Sequence, residues 1–229
     1  MGELVFSTQK VFQGFTGIAE RRHPEEMLPT GASSVDVLEQ ILQLRPEINN
    51  LSLVIYDRNL DRGEPLMNKR KNDTLWWVDS NKFSTDFIST AMVTLSELPN
   101  EWGVKRSWAL AASSLVTSRD SWVKKHIPMV DFKCVPGKGT LANVINDIKA
   151  FSSYGGYLLQ TQHGYHFYGL DLYGEEVWRV FLKGIREKSS LIDPTYIDFC
   201  LEEGISALSL GSSCSVEKLY KVVDIIRPG

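Results

Sequence analysis

Ile127-Pro128-Met129-Val130-Asp131-Phe132-Lys133 is the stretch on which the reading of this chain turns. It is an apolar run of strand length that ends in an acid, one residue, and a cation. Residues two apart on a strand point to the same face, so Asp131 and Lys133 share one. A second acid at position 133 would make a carboxylate pair suited to two metal ions. Lysine at that position makes either an ordinary strand-end ion pair or a site of different chemistry.

Downstream, Leu141, Val144, Ile145, Ile148 and Phe151 keep helical spacing until Gly155-Gly156 breaks it. Tyr157 to Thr161 and Tyr165 to Tyr168 flank a Gln162-His163-Gly164 turn and predict a hairpin. Val177, Trp178, Phe181, Leu182 and Ile185 predict another helix. Asp193-Pro194 opens a short helix that Gly204 closes, with Asp193 as N-cap and proline at the first helical position. Ser206 to Leu210 alternates as a strand. Ser215 is expected to cap a terminal helix bearing Val216, Leu219, Tyr220, Val223 and Ile226.

Upstream, Ser107 to Val116 reads as a strand, as do Leu51 to Tyr56 and Leu75 to Val78. Phe83, Phe87, Ile88, Ala91 and Leu95 are helical in spacing, and Pro99 ends the pattern. Ser33-Ser34-Val35-Asp36 forms a capping box ahead of a helix with Leu38, Ile41 and Leu42 on one face. The segment from about Gln9 to Gly31 has no periodicity. The expected class is α+β (mixed α/β), with a β-hairpin and flanking helices. Residues 1–100 form an N-terminal α/β portion packing on a core made by residues 101–229, or the two make one single domain.

The composition is that of an ordinary globular protein, 43% hydrophobic and 23% charged. No apolar run reaches the roughly 18 residues needed to cross a bilayer. The start of the chain lacks the basic and apolar regions of a signal peptide. Phe6 stands where a myristoylation signal wants Ser or Thr. These features predict a cytoplasmic protein (or a nuclear one in a eukaryote) with no membrane partner. Three widely spaced cysteines, Cys134, Cys200 and Cys214, predict free thiols, not a disulfide framework. The net charge of -3 is unevenly spread. Lys105, Arg106, Arg119, Lys124, Lys125, Lys133 and Lys138, against Asp120 and Asp131, make 105–138 a +5 segment, and the remainder is -8. Such a segment is either a solvated face or a contact for an anionic ligand.

Met129-Val130-Asp131-Phe132-Lys133, then Thr161-Gln162-His163-Gly164-Tyr165-His166, then Leu191-Ile192-Asp193 fall in one order along the C-terminal half. That order resembles the archaeo-eukaryotic primase superfamily, also called primase-polymerases, over about residues 105–212. In that family an apolar strand ends Asp-x-Asp, a Ser-x-His-like turn follows, and the third motif is a hydrophobic residue before Asp. The resemblance implies a primase-polymerase-like core. It implies Asp131 and Asp193 as ligands of Mg²⁺ or Mn²⁺, and His166 as a nucleotide phosphate contact. It implies nucleotide or nucleic acid as the partner, and the +5 segment adds Lys105, Arg106, Lys124, Lys125 and Lys138, with His163 in the hairpin turn, as further binding candidates. The chain departs from the pattern at Lys133, which replaces the second acid. It departs again at Ser209, which stands where some members carry arginine, and in the turn before His166, which lacks the usual serine. The expectation is a relative whose two-metal site is altered and impaired, in DNA replication, repair or a mobile-element context. If it is active, it is a metal-dependent nucleotidyltransferase.

Two other readings stand beside this one. Acid-x-lysine at a strand end is also the core of restriction-endonuclease-like nucleases. There Asp131 would bind Mg²⁺ and Lys133 would activate water, with Asp120 as the upstream acid. The third reading is a non-catalytic structural or interaction protein with a protein partner. In it Asp131 and Lys133 form an ion pair, His166 is a buried hairpin residue and Asp193 is only a cap. Pro136-Gly137-Lys138-Gly139-Thr140 fails as a phosphate loop, because Phe132 and Gly139 occupy positions that need Gly and Ser or Thr. It predicts a turn with Thr140 as N-cap. His163 and His166 have no third ligand nearby in sequence to make a zinc site.

Overall fold

The computed structural model describes residues 27–57, 74–97, 108–118, 123–151, 155–213 and 215–227. Helix α1 (Ser34–Leu44) is followed by strands β1 (Ile48–Asp57) and β2 (Thr74–Asp79), then helix α2 (Thr85–Glu97). Strands β3 (Trp108–Ser118), β4 (Lys124–His126) and β5 (Met129–Lys133) lead into helix α3 (Lys138–Phe151). The hairpin β6 (Gly156–Gln160) and β7 (Gly164–Gly169) precedes helices α4 (Glu175–Lys188) and α5 (Pro194–Glu203). Strand β8 (Ala207–Ser209), a 3₁₀ turn (Val216–Lys218) and strand β9 (Lys221–Ile226) complete the described chain. The class is α+β, with all strand pairs antiparallel.

The first sheet runs β2-β1-β3-β4, and β8 shares with β4 the far edge of β3. β8 pairs with Ala111–Ser113, and β4 pairs with Leu115–Thr117. β3 is buried along nearly its whole length, which its small and apolar run Ala-Leu-Ala-Ala-Ser-Ser-Leu-Val allows. The strands before and after residue 100 therefore hydrogen-bond in one sheet.

The second sheet runs β5-β7-β6-β9. Each of its edges carries a short further pairing. Gly31 N donates to Val222 O (2.8 Å), and Val222 N donates to Ala32 O (2.8 Å), which lays residues 31–33 along β9. Lys133 N donates to Leu191 O (2.8 Å), and Phe132 bridges Ile192, which lays 191–193 along β5. α3 packs on α4 and α4 on α5, and the apolar faces of these helices join both sheets in one buried cluster.

The capping box before α1 forms as its sequence predicts. Ser33 Oγ accepts from Asp36 N, and Asp36 Oδ2 accepts from Ser33 N. Arg45, just past α1, is buried and donates to Leu170 O and Asp171 Oδ1 (each 2.9 Å), tying the N-terminal half to the second sheet.

Two sequence expectations need correction. The predicted C-terminal helix is a 3₁₀ turn followed by β9. The run Lys-Val-Val-Asp-Ile-Ile is rich in β-branched residues, and its extended form buries Val222 and Ile226 against β6. Thr140 is not an N-cap. α3 starts at Lys138, and Thr140 sits in the first turn, its hydroxyl donating to the carbonyls of Val135 (2.8 Å) and Gly137 (3.0 Å).

Candidate functional site on the second sheet

The strand register places the site. Asp131 on β5 lies directly opposite His166 on β7, with Lys133 opposite Gly164. Paired residues project to the same face, so Asp131, Lys133 and His166 share one. Asp193 reaches Lys133 because residues 191–193 run along the outer edge of β5. The Lys133 ammonium donates to Asp193 Oδ2 at 2.7 Å. The other oxygen of Asp193 accepts from Thr195 N at 2.9 Å and caps α5. Of the four predicted central residues, the structure thus pairs Lys133 with Asp193 and sets His166 Nε2 3.6 Å from Asp131 Oδ1. The latter distance is too long for a hydrogen bond.

Exposure separates the members. The Lys133 side chain is 56% exposed and Asp193 24%. Asp131 is 28% exposed, and His166 is buried. The Lys133 hydrogen bond holds the Asp193 carboxyl below its usual range, against a smaller opposing effect of burial. Burial lowers the His166 pKa, and Asp131 and the Ser209 backbone only partly oppose it, so the ring is neutral at pH 7. Nδ1 of His166 makes no hydrogen bond of normal geometry, although the Ser209 backbone lies near the ring.

Asp193→Ala removes both a cap and a partly exposed ion pair, and should cost about 1–2 kcal/mol. Asp193→Asn keeps a good cap and should cost under about 1 kcal/mol. Urea midpoints of the two variants test this, and equal losses would show that the cap contributes nothing.

The basic candidates divide. His163 is exposed at the hairpin tip, and its carbonyl accepts from Cys134 N (3.2 Å), which brings the tip to the end of β5. Lys138 is exposed at the start of α3, and that loop is tied to the sheet by Gly137 N donating to Tyr165 Oη (3.0 Å). Lys133, His163 and Lys138 therefore occupy one end of the second sheet. Lys124 and Lys125 lie on β4 in the first sheet, and Asp131 on β5 in the second. Lys105, Arg106, Arg119 and Asp120 fall outside the described residues. Among the described residues, no three His, Cys, Asp or Glu side chains are grouped to hold a metal ion. Among the described residues, no helix is long and apolar enough to cross a membrane. Cys134 is a free thiol, and Cys214 lies outside the described residues.

Sequence reasoning passed over three groups. Tyr168 is two residues beyond His166 on the same face of β7, and burial pushes its hydroxyl pKa upward. Strand periodicity alone was enough to find it. The rings of Tyr220 and His166 meet nearly at right angles, with centroids 5.1 Å apart. The sequence predicts a helix there, whereas Tyr220 is held just before β9 by backbone bonds to Leu210 and Ser34 (each 2.9 Å). The third group is His126, which is fully buried and stacks on Trp178 at 4.2 Å. His126 Nε2 meets Glu175 Oε2 at 2.8 Å, and Nδ1 meets Ser114 Oγ at 3.1 Å.

The chain matches the model of the AEP-like family, described as archaeo-eukaryotic primase 1D-like, over residues 94–220. No curated protein and no solved structure matches it significantly. The matched span contains the strand bearing Asp131 and Lys133, the hairpin bearing His166 and the loop bearing Asp193. It covers more than half of the 229 residues, and the chain belongs to the AEP-like family of archaeo-eukaryotic primase 1D-like domains.

Proposed function

We propose that this protein binds nucleotide or nucleic acid on a primase-polymerase-like scaffold whose two-metal site is altered and impaired. The observation that carries the reading is the 2.7 Å contact between Lys133 Nζ and Asp193 Oδ2. In a two-metal site the carboxylates on β5 and before α5 would face divalent ions. Here one of them already holds an ammonium, and the acid that would complete the pair is that lysine. These residues do not fit a two-metal centre, so no transfer step is derived through one.

What remains is suited to binding. Lys133, Lys138 and His163 line one end of the second sheet with solvent-accessible donors. Cations on a protein surface attract phosphates whatever the sequence of the nucleic acid. Family membership supports a role in replication, repair or a mobile element. The nuclease reading needs the Lys133 ammonium beside Asp131 to activate water, and its bond to Asp193 argues against that arrangement.

Labelled single-stranded DNA, duplex DNA, RNA and nucleoside triphosphates, titrated at two salt concentrations, test the proposal. The expected outcome is binding of at least one class that weakens about ten-fold or more between 50 and 200 mM salt. Lys138→Glu should weaken it further. If no class binds, or binding ignores salt, the proposal fails.

A further inference from the structure

We infer that the Lys133 ammonium is the resident cation of this site, so that its ligand is bound without a divalent ion, and that this single side chain blocks a latent divalent-ion site. The inference rests on the binding function proposed above and specifies the cofactor requirement of the same site.

Three observations carry it. The contact between Lys133 and Asp193 is set by backbone and is not a chance meeting of two long side chains. Lys133 N donates to Leu191 O at 2.8 Å, Phe132 bridges Ile192, and Thr195 N holds the other oxygen of Asp193 at 2.9 Å. Both ends of the ion pair are therefore positioned by the edge pairing of β5 and by the cap of α5. Next, the carboxylates that would serve a metal are present and reachable. Asp131 is 28% exposed and Asp193 24%, and Asp131 shares a face of β5 with Lys133. Lastly, no other side chain stands opposite Lys133 across the strand pair, because that position is Gly164. Replacing the lysine by an acid would leave two carboxylates two residues apart on one strand face, with Asp193 released beside them. Short carboxylate side chains in that arrangement are hard oxygen donors of the kind that Mg²⁺ and Mn²⁺ take. With lysine in place, an arriving divalent ion meets a fixed positive charge in its own position and loses the Asp193 oxygen to it.

Calorimetric titration of the full chain with MnCl₂ tests the inference without any nucleic acid. The unmodified protein should show no Mn²⁺ binding that depends on Asp131. Lys133→Asp should bind Mn²⁺ about ten-fold or more tightly than the unmodified protein does, and Asp131→Asn in that background should abolish the gain. Lys133→Met, which lifts the charge and frees Asp193 but adds no oxygen donor, should gain less Mn²⁺ affinity than Lys133→Asp does, and a gain equal to that of the aspartate variant would show that the added carboxylate is not a ligand. Lys133→Glu is the second acidic variant if the aspartate fails to fold. In a parallel measurement, whichever labelled nucleotide or nucleic acid binds should bind equally in EDTA and in MgCl₂. Asp131-dependent Mn²⁺ binding by the unmodified protein overturns the inference, and that arm requires no variant to fold. So does a folded acidic variant with no gain, or loss of ligand binding in EDTA. Failure of every nucleotide and nucleic acid to bind would instead remove the proposed function, and the Mn²⁺ titrations would still read the site separately.

Discussion

Gly164→Ala should be among the most damaging single-methyl additions in this protein, costing roughly 3 kcal/mol or more. Gly164 starts β7 and pairs with Lys133. A Cβ built there would lie 1.6 Å from Phe132 O and 2.8 Å from its carbonyl carbon. Those are backbone atoms of the paired strand, so no rotamer change relieves the clash, and β5 and β7 must separate at that end. The same pairing sets Asp131 against His166, so stability and site geometry should fail together. Gly139→Ala is the matched control. Nothing lies within 4 Å of its Cβ position, and it sits in the first turn of α3. That change should be neutral or should stabilise by about 0.5–1 kcal/mol through helix propensity. Urea unfolding of the two variants decides the matter, and a Gly164→Ala midpoint near that of the parent protein would refute the steric argument.

His126→Ala should cost roughly 3–4 kcal/mol, although it lies outside the set Asp131, Lys133, His166 and Asp193. The ring is fully buried and stacked on Trp178. Its hydrogen bonds form a directed chain. Ser206 N donates to Ser114 Oγ (3.0 Å), which leaves the Ser114 hydroxyl to donate to His126 Nδ1. Nε2–H then donates to Glu175 Oε2, which is next to the oxygen that accepts from Arg179 Nε (2.6 Å). Deleting the ring leaves a cavity against an indole and takes a partner from a buried serine.

The same histidine makes stability depend on pH. Burial lowers the folded-state pKa of His126 below the ordinary 6.5, and Arg179 and Lys124 add to the effect while Glu175 opposes it. Burial likewise lowers His166. Between the folded and unfolded values the unfolded chain binds more protons, so stability rises with pH in that window. The contribution is therefore complete above about pH 6.5 and is lost as the pH falls towards the folded values, by up to about 1.4 kcal/mol per pH unit for each histidine. Melting temperature should fall from pH 7.5 to pH 5.5, and the fall should be smaller in His126→Gln. A flat profile in the unmodified protein would contradict it.

How much of this was legible in the chain depends on the range of the interactions involved. The capping box at Ser33 and Asp36 closes within four residues and was readable directly. So were the hairpin around Gln162-His163-Gly164 and the Asp193-Pro194 start of α5, for the same reason. The shared face of Asp131 and Lys133 follows from strand periodicity alone. The spacing of Val216, Leu219, Tyr220, Val223 and Ile226 satisfies a helix, while the edge of β6 that claims Lys221–Ile226 lies far away in sequence, as in the pair Gln160 and Lys221. The order of acid, histidine and acid along the chain pointed to the family, and the mixed helical and strand spacings with a hairpin pointed to the α+β class. Neither said whether Lys133 would face Asp131, Asp193 or solvent. That choice belongs to the tertiary structure. Edge pairing of 191–193 on β5 brings a capping carboxylate to the ammonium, and a contact 60 residues apart in sequence is specified by sheet geometry, not by local propensity.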